Sequence, residues 1–404
     1  MKNVIFSLLL ISALPLCGQN EASGNQLDFE LGKGLNILLN DGSYQFTLSG
    51  MIQPSMAYEK VQDREYDLFF NAKRAYLNFS GFAAKEKVSF FLQTDFSLTE
   101  PLLDAWLTYH PWKQLSISLG QKQTIGNNRE MMIMEDQLQF PERGLLSQTF
   151  SRSGREFGAF IDSRLGSEQF GIVPQIALTS GDGRNSFGTD SRDVDLGGIK
   201  YAARLDVYPL GFFSEDNESS IADLGHESSP KLLVGMAASY NDGASHPAGA
   251  GHGDFFLYNL IGDVQLPDYR QLYSDILFKF QGFSLLGEYV VATATSLQGS
   301  YVDEAGGDPL LPTEISQFLR LGRAMNVQVG YASKGGWALD ARYSMLRPEF
   351  ADNSQSLIQE QNEATLGLSK YWGNGLKIQV AASSYSSPEE VNRLLAELLL
   401  QLVF

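Results

Sequence analysis

The sequence predicts an all-β fold, a transmembrane antiparallel β-barrel of about sixteen strands. Apolar and polar residues alternate over segments of about ten residues, the length that a tilted strand needs to cross a bilayer. Short and long connections alternate along the chain, as they do in barrels with turns on one side of the membrane and loops on the other. The chain also ends on an alternating segment whose last residue is aromatic, Phe404.

Composition excludes several other classes of protein. The chain has 404 residues, of which 43% are apolar and 19% charged, so it is not intrinsically disordered. Its net charge of −17 argues against a nucleic-acid partner, whose phosphates would repel it. No apolar run after residue 18 is long enough for a transmembrane helix. A β-barrel stays compatible with these data because its lipid-facing residues occupy only every second position.

Residues 1–18 are predicted to be a secretory signal peptide, and residues 19–404 the barrel domain. Lys2 precedes an apolar stretch over residues 4–16, and the small residue Gly18 marks the cleavage site. A lipid anchor on Cys17 is the alternative, but Leu16 stands where such an anchor needs a small residue. Cleavage after Gly18 leaves no cysteine, so no disulfide can stabilise the exported chain.

Alternation along the remaining chain predicts sixteen strands. In one of them Leu103, Ala105 and Leu107 alternate with Asp104 and Trp106. The predicted strands are residues 43–58, 68–82, 87–97, 102–110, 113–123, 153–164, 169–179, 194–207, 230–240, 273–280, 283–293, 323–333, 337–347, 363–372, 376–386 and 392–404. Residues 33–39 are a candidate for one further short strand.

The connections between these strands differ in length in a regular way. The long ones are residues 124–152, 241–272, 294–322 and 348–362, and short turns stand between them. This asymmetry, with strands of about ten residues, favours a membrane barrel over a soluble β-sandwich, which also alternates. The connection 208–229 is long where a turn is expected, and its Ser, Asp and Glu content predicts a solvated insertion.

Seven segments in order carry a resemblance to a known family. They include AKRAYLNFSG (72–81), LLDAWLTYHPWKQLSISLGQ (102–121), and FPER (140–143) followed by GREFGAFI (154–161). The others are residues 33–53, 278–290, 327–344 and 364–380. In these segments the chain resembles the phosphate-selective porin O/P family of outer-membrane porins, as a divergent Bacteroidetes-like member.

The resemblance implies a homotrimer of sixteen-stranded barrels in the outer membrane of a Gram-negative bacterium. Each barrel would be a passive, water-filled channel narrowed by an inward-folded constriction loop, residues 124–152 in this chain. The implied partners are the lipid bilayer, ions and small hydrophilic solutes, with phosphate or other anions as candidate solutes. The terminal Phe404 resembles the signal read by the outer-membrane insertion machinery.

Several charged residues are candidates for lining the channel. Arg74 matches the family's basic strand position and faces the interior by alternation, whereas Lys73 has the opposite parity and is expected to point outward or to lie near an interface. Arg129 and Arg143 match basic positions of the constriction loop. The full predicted set is Arg74, Asp104, Lys122, Arg129, Arg143, Glu288 and Arg342.

The sign of the channel's selectivity stays open at this point. Anion selectivity requires a positive potential and dense hydrogen-bond donors along the path. The loop 124–152 instead carries four acidic residues, Glu130, Glu135, Asp136 and Glu142, and the chain has 47 acidic residues against 30 basic ones.

No enzymatic, metal or cofactor site is predicted. The four histidines (His110, His226, His246 and His252) lack the spacing of a metal site, and the sequence contains no Gly-x-Ser-x-Gly elbow and no phosphate-binding Gly-rich loop. The alternative function is a barrel with a plugged lumen that acts as a surface-binding or secretion-associated partner through the loops 241–272 and 294–322.

Overall fold

The computed structural model describes residues 25–40, 42–151, 154–185, 198–251, 253–295, 299–388 and 391–404. The predicted signal peptide, including Cys17, lies outside these residues, and so does His252.

A short hairpin precedes the barrel. Its strands are β1 (Gln26–Glu30) and β2 (Gly34–Leu39), which pair antiparallel. β2 continues the sheet by pairing with the start of the first long strand, where Leu35 lies opposite Leu48. The candidate short strand at 33–39 is therefore present as β2, whereas β1 was not predicted.

Sixteen long strands form the wall of the barrel. In chain order the strands after the hairpin are β3 (Tyr44–Val61), β4 (Tyr66–Ala83), β5 (Val88–Asp95), β6 (Leu102–Trp112), β7 (Leu115–Gln123), β8 (Arg155–Ser163), the two-residue β9 (Leu165–Gly166), β10 (Gly171–Thr179), β11 (Lys200–Tyr208), β12 (Lys231–Asn241), β13 (Tyr269–Phe280), β14 (Phe283–Ala294), β15 (Gly322–Ala332), β16 (Trp337–Pro348), β17 (Gln361–Trp372), β18 (Leu376–Ser386) and β19 (Arg393–Val403). Each long strand pairs antiparallel with the next, and β19 pairs with β3, which closes the sheet. The predicted fold class is confirmed, and a soluble sandwich is excluded.

The helices are all short. They are α1 (Arg129–Met132), α2 (Leu145–Phe150) and α3 (Glu215–Glu218), with 3-10 turns at Glu135–Gln137 and Pro312–Gln317. Within the described ranges, no helix has the length and apolar character needed to cross a membrane.

Side chains alternate between an apolar outer face and a polar interior. In β16, Leu339 points outward and is 64% exposed, whereas Asp340 and Arg342 point into the barrel and are 2% and 3% exposed. A soluble barrel would need the reverse arrangement, because water would then surround the outer face.

Two apolar clusters fill part of the interior. The upper core lies towards the long connections, where Leu146 and Phe150 of α2 pack with Tyr273 of the wall and with Ile315 and Leu319 of the connection 295–321. The lower core lies towards the short turns and comprises Ile133, Leu138, Phe213, Ile221, Leu277 and Leu286, with Tyr208 and Leu233. Much of the barrel is therefore packed rather than water-filled.

The connection between β11 and β12 contradicts its prediction as a solvated insertion. Ile221 and Asp223, near its centre, are 1% and 0% exposed, so the segment folds into the lower end of the barrel. Its polar groups satisfy one another, because Asp223 accepts hydrogen bonds from Asn217 Nδ2 (2.7 Å) and from the Glu227 amide (2.9 Å). The polar composition predicted a solvated segment. Internal hydrogen bonds instead lower the free-energy cost of burying these polar groups.

Lys279 of β13 fixes this insertion to the wall. Its ammonium group is fully buried and donates to the carbonyl oxygens of Asn217 and Ser220, both at 2.6 Å. It also lies 4.8 Å from the centre of the Phe213 ring.

Replacing Lys279 with Met should release the insertion without opening the barrel. Two buried carbonyl oxygens would lose their donor, at a cost of about 1–3 kcal/mol each. We expect chymotrypsin to cleave after Phe212 or Phe213 at least tenfold faster, read by mass spectrometry. The exposed Lys334→Met is the control. Unchanged cleavage of the Lys279 variant would show that this contact does not hold the insertion.

Candidate functional site

The candidate site is formed by residues 124–151, which leave the wall after β7 and cross the interior. This stretch, the inward segment, contains α1, the turn at Glu135–Gln137 and α2. Its start is tied to its end by a hydrogen bond from the Thr124 amide to the Gly154 carbonyl (3.0 Å). The predicted inward-folded loop is thus present, although residue 152 lies outside the described ranges.

Arg129 joins the inward segment to two wall strands. Its guanidinium group lies 2.5 Å from Asp206 of β11 and 3.0 Å from Asp275 of β13. Arg204 of β11 pairs with the same two carboxylates and donates to the Asn127 carbonyl (3.0 Å). Two positive and two negative charges therefore form a neutral cluster. Burial opposes ionisation of Arg129, but Asp275 and Asp206 outweigh it and raise its pKa.

Gly235 makes room for this cluster. It lies on β12, directly opposite Asp206 on one side and Asp275 on the other. A Cβ atom there would lie 2.5 Å from both the Arg204 guanidinium and the Asp275 carboxylate. Only glycine leaves enough space for the four charged side chains to meet.

Glu130 and Glu288 hold the next part of the segment. Glu288 of β14 accepts hydrogen bonds from the Glu130 amide (2.7 Å), from Asn128 (3.0 Å) and from Asn326 (2.7 Å). The Glu130 carboxylate accepts from Gln328 of β15 (2.5 Å). Glu288 therefore stabilises the position of α1 through neutral donors rather than facing open water.

Arg342 pairs with the segment from the opposite wall. It forms an ion pair with Glu363 of β17, lies 3.4 Å from Glu130 and donates to the Glu142 carbonyl (2.8 Å). Its guanidinium group also covers the Phe140 ring at 4.6 Å.

Arg143 acts within the inward segment. Its guanidinium group pairs with Glu135 (2.9 Å) and donates to the carbonyls of Ile133 (2.8 Å) and Glu130. Burial alone would raise the pKa of the Glu135 carboxyl, but the positive charges of Arg143, Arg155 and Arg74 lower it to about 2. Glu135 is therefore ionised at neutral pH.

Wall side chains also bind the segment's backbone. Lys377 of β18 donates to the carbonyls of Asp136 (3.0 Å) and Leu138 (3.2 Å), and Gln379 donates to that of Gln139 (2.5 Å). Because the acceptors are backbone carbonyls, these bonds hold the path of the segment independently of its side chains.

A charged group beside β3, β4 and β19 forms the most accessible part of the site. Arg74 donates to Gln53 (2.8 Å) and to the Pro141 carbonyl (3.3 Å). Lys73 pairs with Glu142 and with Glu397 of β19, both at 2.7 Å. The Glu142 side chain is 42% exposed, so it faces open space beside these two cations.

The prediction that Lys73 points outward is wrong because β4 carries a bulge. Gln53 pairs with Arg74 and Pro54 with Ala72, so Lys73 has no partner of its own on β3. One extra residue in the strand breaks the alternation, and Lys73 and Arg74 both reach the interior.

Asp104 and Lys122 lie on the interior face of β6 and β7. Asp104 pairs with Arg155 of β8 at 2.6 Å. The Lys122 ammonium lies 5.3 Å from the ring centres of Trp106 and Phe160. Neither residue contacts Glu142, so they form a separate group on the wall.

Exposure within the interior is unequal around the barrel. Interior residues of β13–β18 towards the short turns are fully covered: Lys279, Ser284, Asp340, Ser369, Lys377 and Gln379 are at most 2% exposed. Some interior residues of β3–β8 are partly exposed: Thr47, Ser49, Asn78, Ser80, Phe91, Trp106, Lys122 and Asp162. Others on the same strands are buried, among them Gln53, Gln93, Thr108, Ser118 and Gln121. The partly exposed part of the interior wall therefore lies along β3–β8.

Sequence reasoning placed seven charged residues inside but missed their partners. Asp206, Asp275, Glu363 and Glu397 were not singled out, although each is required to neutralise a buried cation. One signal was present, because Arg204 and Asp206 stand two residues apart and so share the interior face of β11.

Neither a protein-family model nor a curated protein matches the sequence. Solved structures, however, match its fold. The outer membrane channel DcaP of Acinetobacter baumannii has a TM-score of 0.55 at 11% identity, covering 90% of this chain and 99% of that chain. OprB of Pseudomonas putida has a TM-score of 0.53 at 11% identity, covering 90% of this chain and 95% of that chain. In-vitro folded OmpT of Vibrio cholerae, in its trimer form, has a TM-score of 0.53 at 9% identity, covering 90% of this chain and 100% of that chain. The chain has an outer-membrane porin fold.

Gly235→Val should loosen the inward segment. The added side chain would displace Arg204 and Asp275 and leave Arg129 short of a partner, which costs about 3–5 kcal/mol for a buried pair. We expect a lower thermal unfolding midpoint and faster tryptic cleavage at Arg129. Gly287→Val on β14 is the control, because its Cβ would meet only the side chain of Ile276, at 3.2 Å. Equal midpoints for the two variants would contradict this role of Gly235.

Acid should weaken the Glu135 contacts only well below neutral pH. A fall in the carboxyl pKa from 4.5 to about 2 corresponds to about 3 kcal/mol of stability. Because the folded-state pKa is the lower one, this stability is present above pH 4.5 and is lost as pH falls towards 2. The stability difference between wild type and Glu135→Gln should be constant from pH 7 to 5 and shrink below 4.5. The exposed Glu65→Gln should show no such change, and a pH-independent difference would contradict the assignment.

Proposed function

We propose that this protein is a passive outer-membrane channel for ions and small hydrophilic solutes. The observation that carries the proposal is the open interior wall along β3–β8, which passes the partly exposed Glu142. Solutes would enter beside β19, β3 and β4, pass Lys73, Arg74 and Glu142, and leave along the polar side chains of β5–β8. The inward segment sets the width of this passage.

Weak charge selectivity fits the geometry best. Arg129 and Arg342 are each paired with two carboxylates, and Arg143 pairs with Glu135. Ion pairs cancel the long-range potential that would concentrate anions. Lys73 and Arg74 lie beside the exposed Glu142, and Lys122 is partly exposed on β7, so phosphate or other anions would interact at these cations.

The proposed setting is the outer membrane of a Gram-negative bacterium, with export directed by residues 1–18. The apolar outer face supports a lipid surrounding, and the porin fold supports this membrane. We propose a homotrimer, an assembly supported by the trimer form of the OmpT structure. Membership of the phosphate-selective porin O/P family stays a prediction from the sequence segments.

We propose no catalytic role and no cofactor. The titratable groups of the inward segment form ion pairs and backbone hydrogen bonds. The Ser147 hydroxyl donates to the Glu130 carboxylate (2.5 Å), but both side chains are buried at 0% and 1% exposure, out of reach of a substrate. Within the described ranges, no group of three or more His, Cys, Asp or Glu side chains is arranged to hold a metal ion.

A plugged barrel that binds a partner at its surface is the second candidate. The connection 295–321 favours it, because Ile315 and Leu319 enter the upper core and cover the mouth over β13–β16. The two candidates differ in conductance, since a plugged barrel would carry no steady current.

Planar-bilayer recording tests the proposal. Purified protein should give stepwise conductance, in threes if the trimer forms, and a reversal potential close to zero in a salt gradient. Absence of any conductance would overturn the channel and favour the plugged barrel. Block of chloride current by millimolar phosphate would indicate a phosphate site.

Glu142→Gln should shift selectivity towards anions. The change removes the one exposed carboxylate beside Lys73 and Arg74 and leaves their charges partly uncompensated. We expect the anion-to-cation permeability ratio to rise about two- to fivefold, measured from the reversal potential. Glu65→Gln, in the connection between β3 and β4, should leave the ratio unchanged. Equal ratios for wild type and Glu142→Gln would show that the passage lies elsewhere.

A further inference from the structure

A groove of about 760 Å³ crosses the outer face of strands β8 and β10–β14. It lies just below the ends of these strands that lead into the long connections. Two rows of cross-strand partners form it. The upper row is Ala159, Leu178, Tyr201, Tyr240, Arg270 and Thr293, and the lower row is Ile161, Ile176, Ala203, Ala238, Leu272 and Val291.

Small side chains make the floor of this groove. Ala203 and Ala238 lie directly opposite each other, between Ile176 on one side and Leu272 on the other. Tyr201 and Tyr240 border the floor from above, with ring centres 6.5 Å apart. The result is a narrow apolar slot in the outer face of the wall.

Two arginines stand at one end of the slot. Arg270 lines it and covers the Tyr240 ring at 5.6 Å, and Arg323 of β15 lies opposite Val291. Both point outward and are exposed, and among the described residues Arg323 has no ion pair. One strand, β14, separates them, and their partners on it, Thr293 and Val291, are two residues apart, so their backbones are about 12 Å apart. Both guanidinium groups can therefore reach one phosphate group between them.

Outward-facing arginines near the edge of a lipid-exposed wall lie at headgroup depth, where they meet lipid phosphates. Guanidinium groups bind phosphate through paired, charge-assisted hydrogen bonds. An apolar slot that ends at two cations matches an acyl chain that ends at a phosphorylated headgroup.

We propose that this groove binds a phosphate-bearing lipid of the outer leaflet. One acyl chain lies on Ala203 and Ala238, and the headgroup phosphate lies between Arg270 and Arg323. The inference rests on the proposed outer-membrane location. A second copy of the chain fits less well, because another barrel presents a broad convex wall that cannot enter a slot between side chains.

Native mass spectrometry of the full-length protein in detergent tests the proposal, with diphosphoryl lipid A as the probe. Wild type should retain one lipid, and a diacylglycerol, which has acyl chains but no phosphate, should not replace it. The double variant Arg270→Ala, Arg323→Ala should lower the retained fraction about tenfold or more. Ala203→Leu with Ala238→Leu should have a similar effect by filling the slot.

Matched controls change the same residue types elsewhere. Arg64→Ala removes an exposed arginine in the connection between β3 and β4, and Ala364→Leu enlarges an outward alanine on β17. Both should retain the lipid. Equal retention by all variants would overturn the proposal, and so would a slot-filling variant that loses subunit association but keeps the lipid.

Conductance separates this test from that of the proposed channel. The groove variants should conduct as wild type does, because the groove faces away from the interior. Loss of lipid with normal conductance supports the groove alone, whereas retained lipid without conductance contradicts the channel but not the groove.

Discussion

Ion pairing between the inward segment and the barrel wall is the constraint on which the interior depends. A charged segment can cross a space largely closed to water only if each charge meets a partner, because an unpaired buried charge costs several kcal/mol. Arg129 and Arg204 meet Asp206 and Asp275, and Arg342 meets Glu130 and Glu363. These pairs come from four wall strands and therefore fix the segment in one position.

Two apolar cores and the insertion between β11 and β12 complete this arrangement. They occupy the side of the barrel formed by β11–β16, whereas the opposite side has only a small apolar cluster of Met51, Tyr76 and Leu103 and several partly exposed interior residues. The ion pairs and the apolar packing thus both close the β11–β16 side of the interior. The charges that hold the segment are neutralised by wall residues, and the accessible charges include Glu142 beside β3 and β4 and Lys122 on β7. The overall charge of −17 says little about this local balance.

Alternation predicted the sixteen wall strands because a barrel wall has one polar and one apolar face, and that pattern is local. The predictions that were wrong concern features set by contacts between distant parts of the chain. Lys73 entered the interior through a bulge that only the pairing with β3 creates. The insertion that buries Ile221 is hydrogen-bonded to Lys279, which lies far along the chain. Arg129 finds its carboxylates 77 and 146 residues away, a relation that no spacing rule contains.

A barrel whose interior is packed on one side has a wall whose stiffness differs around its circumference. Close-packed protein resists compression, whereas a wall backed by water can bend inwards. The arc of β3–β8 is therefore the compliant part of the cylinder, and the arc of β11–β16 is braced. Lateral pressure from the surrounding bilayer would flatten the compliant arc first. In the proposed channel, a passage along this arc would narrow under such pressure without any moving gate.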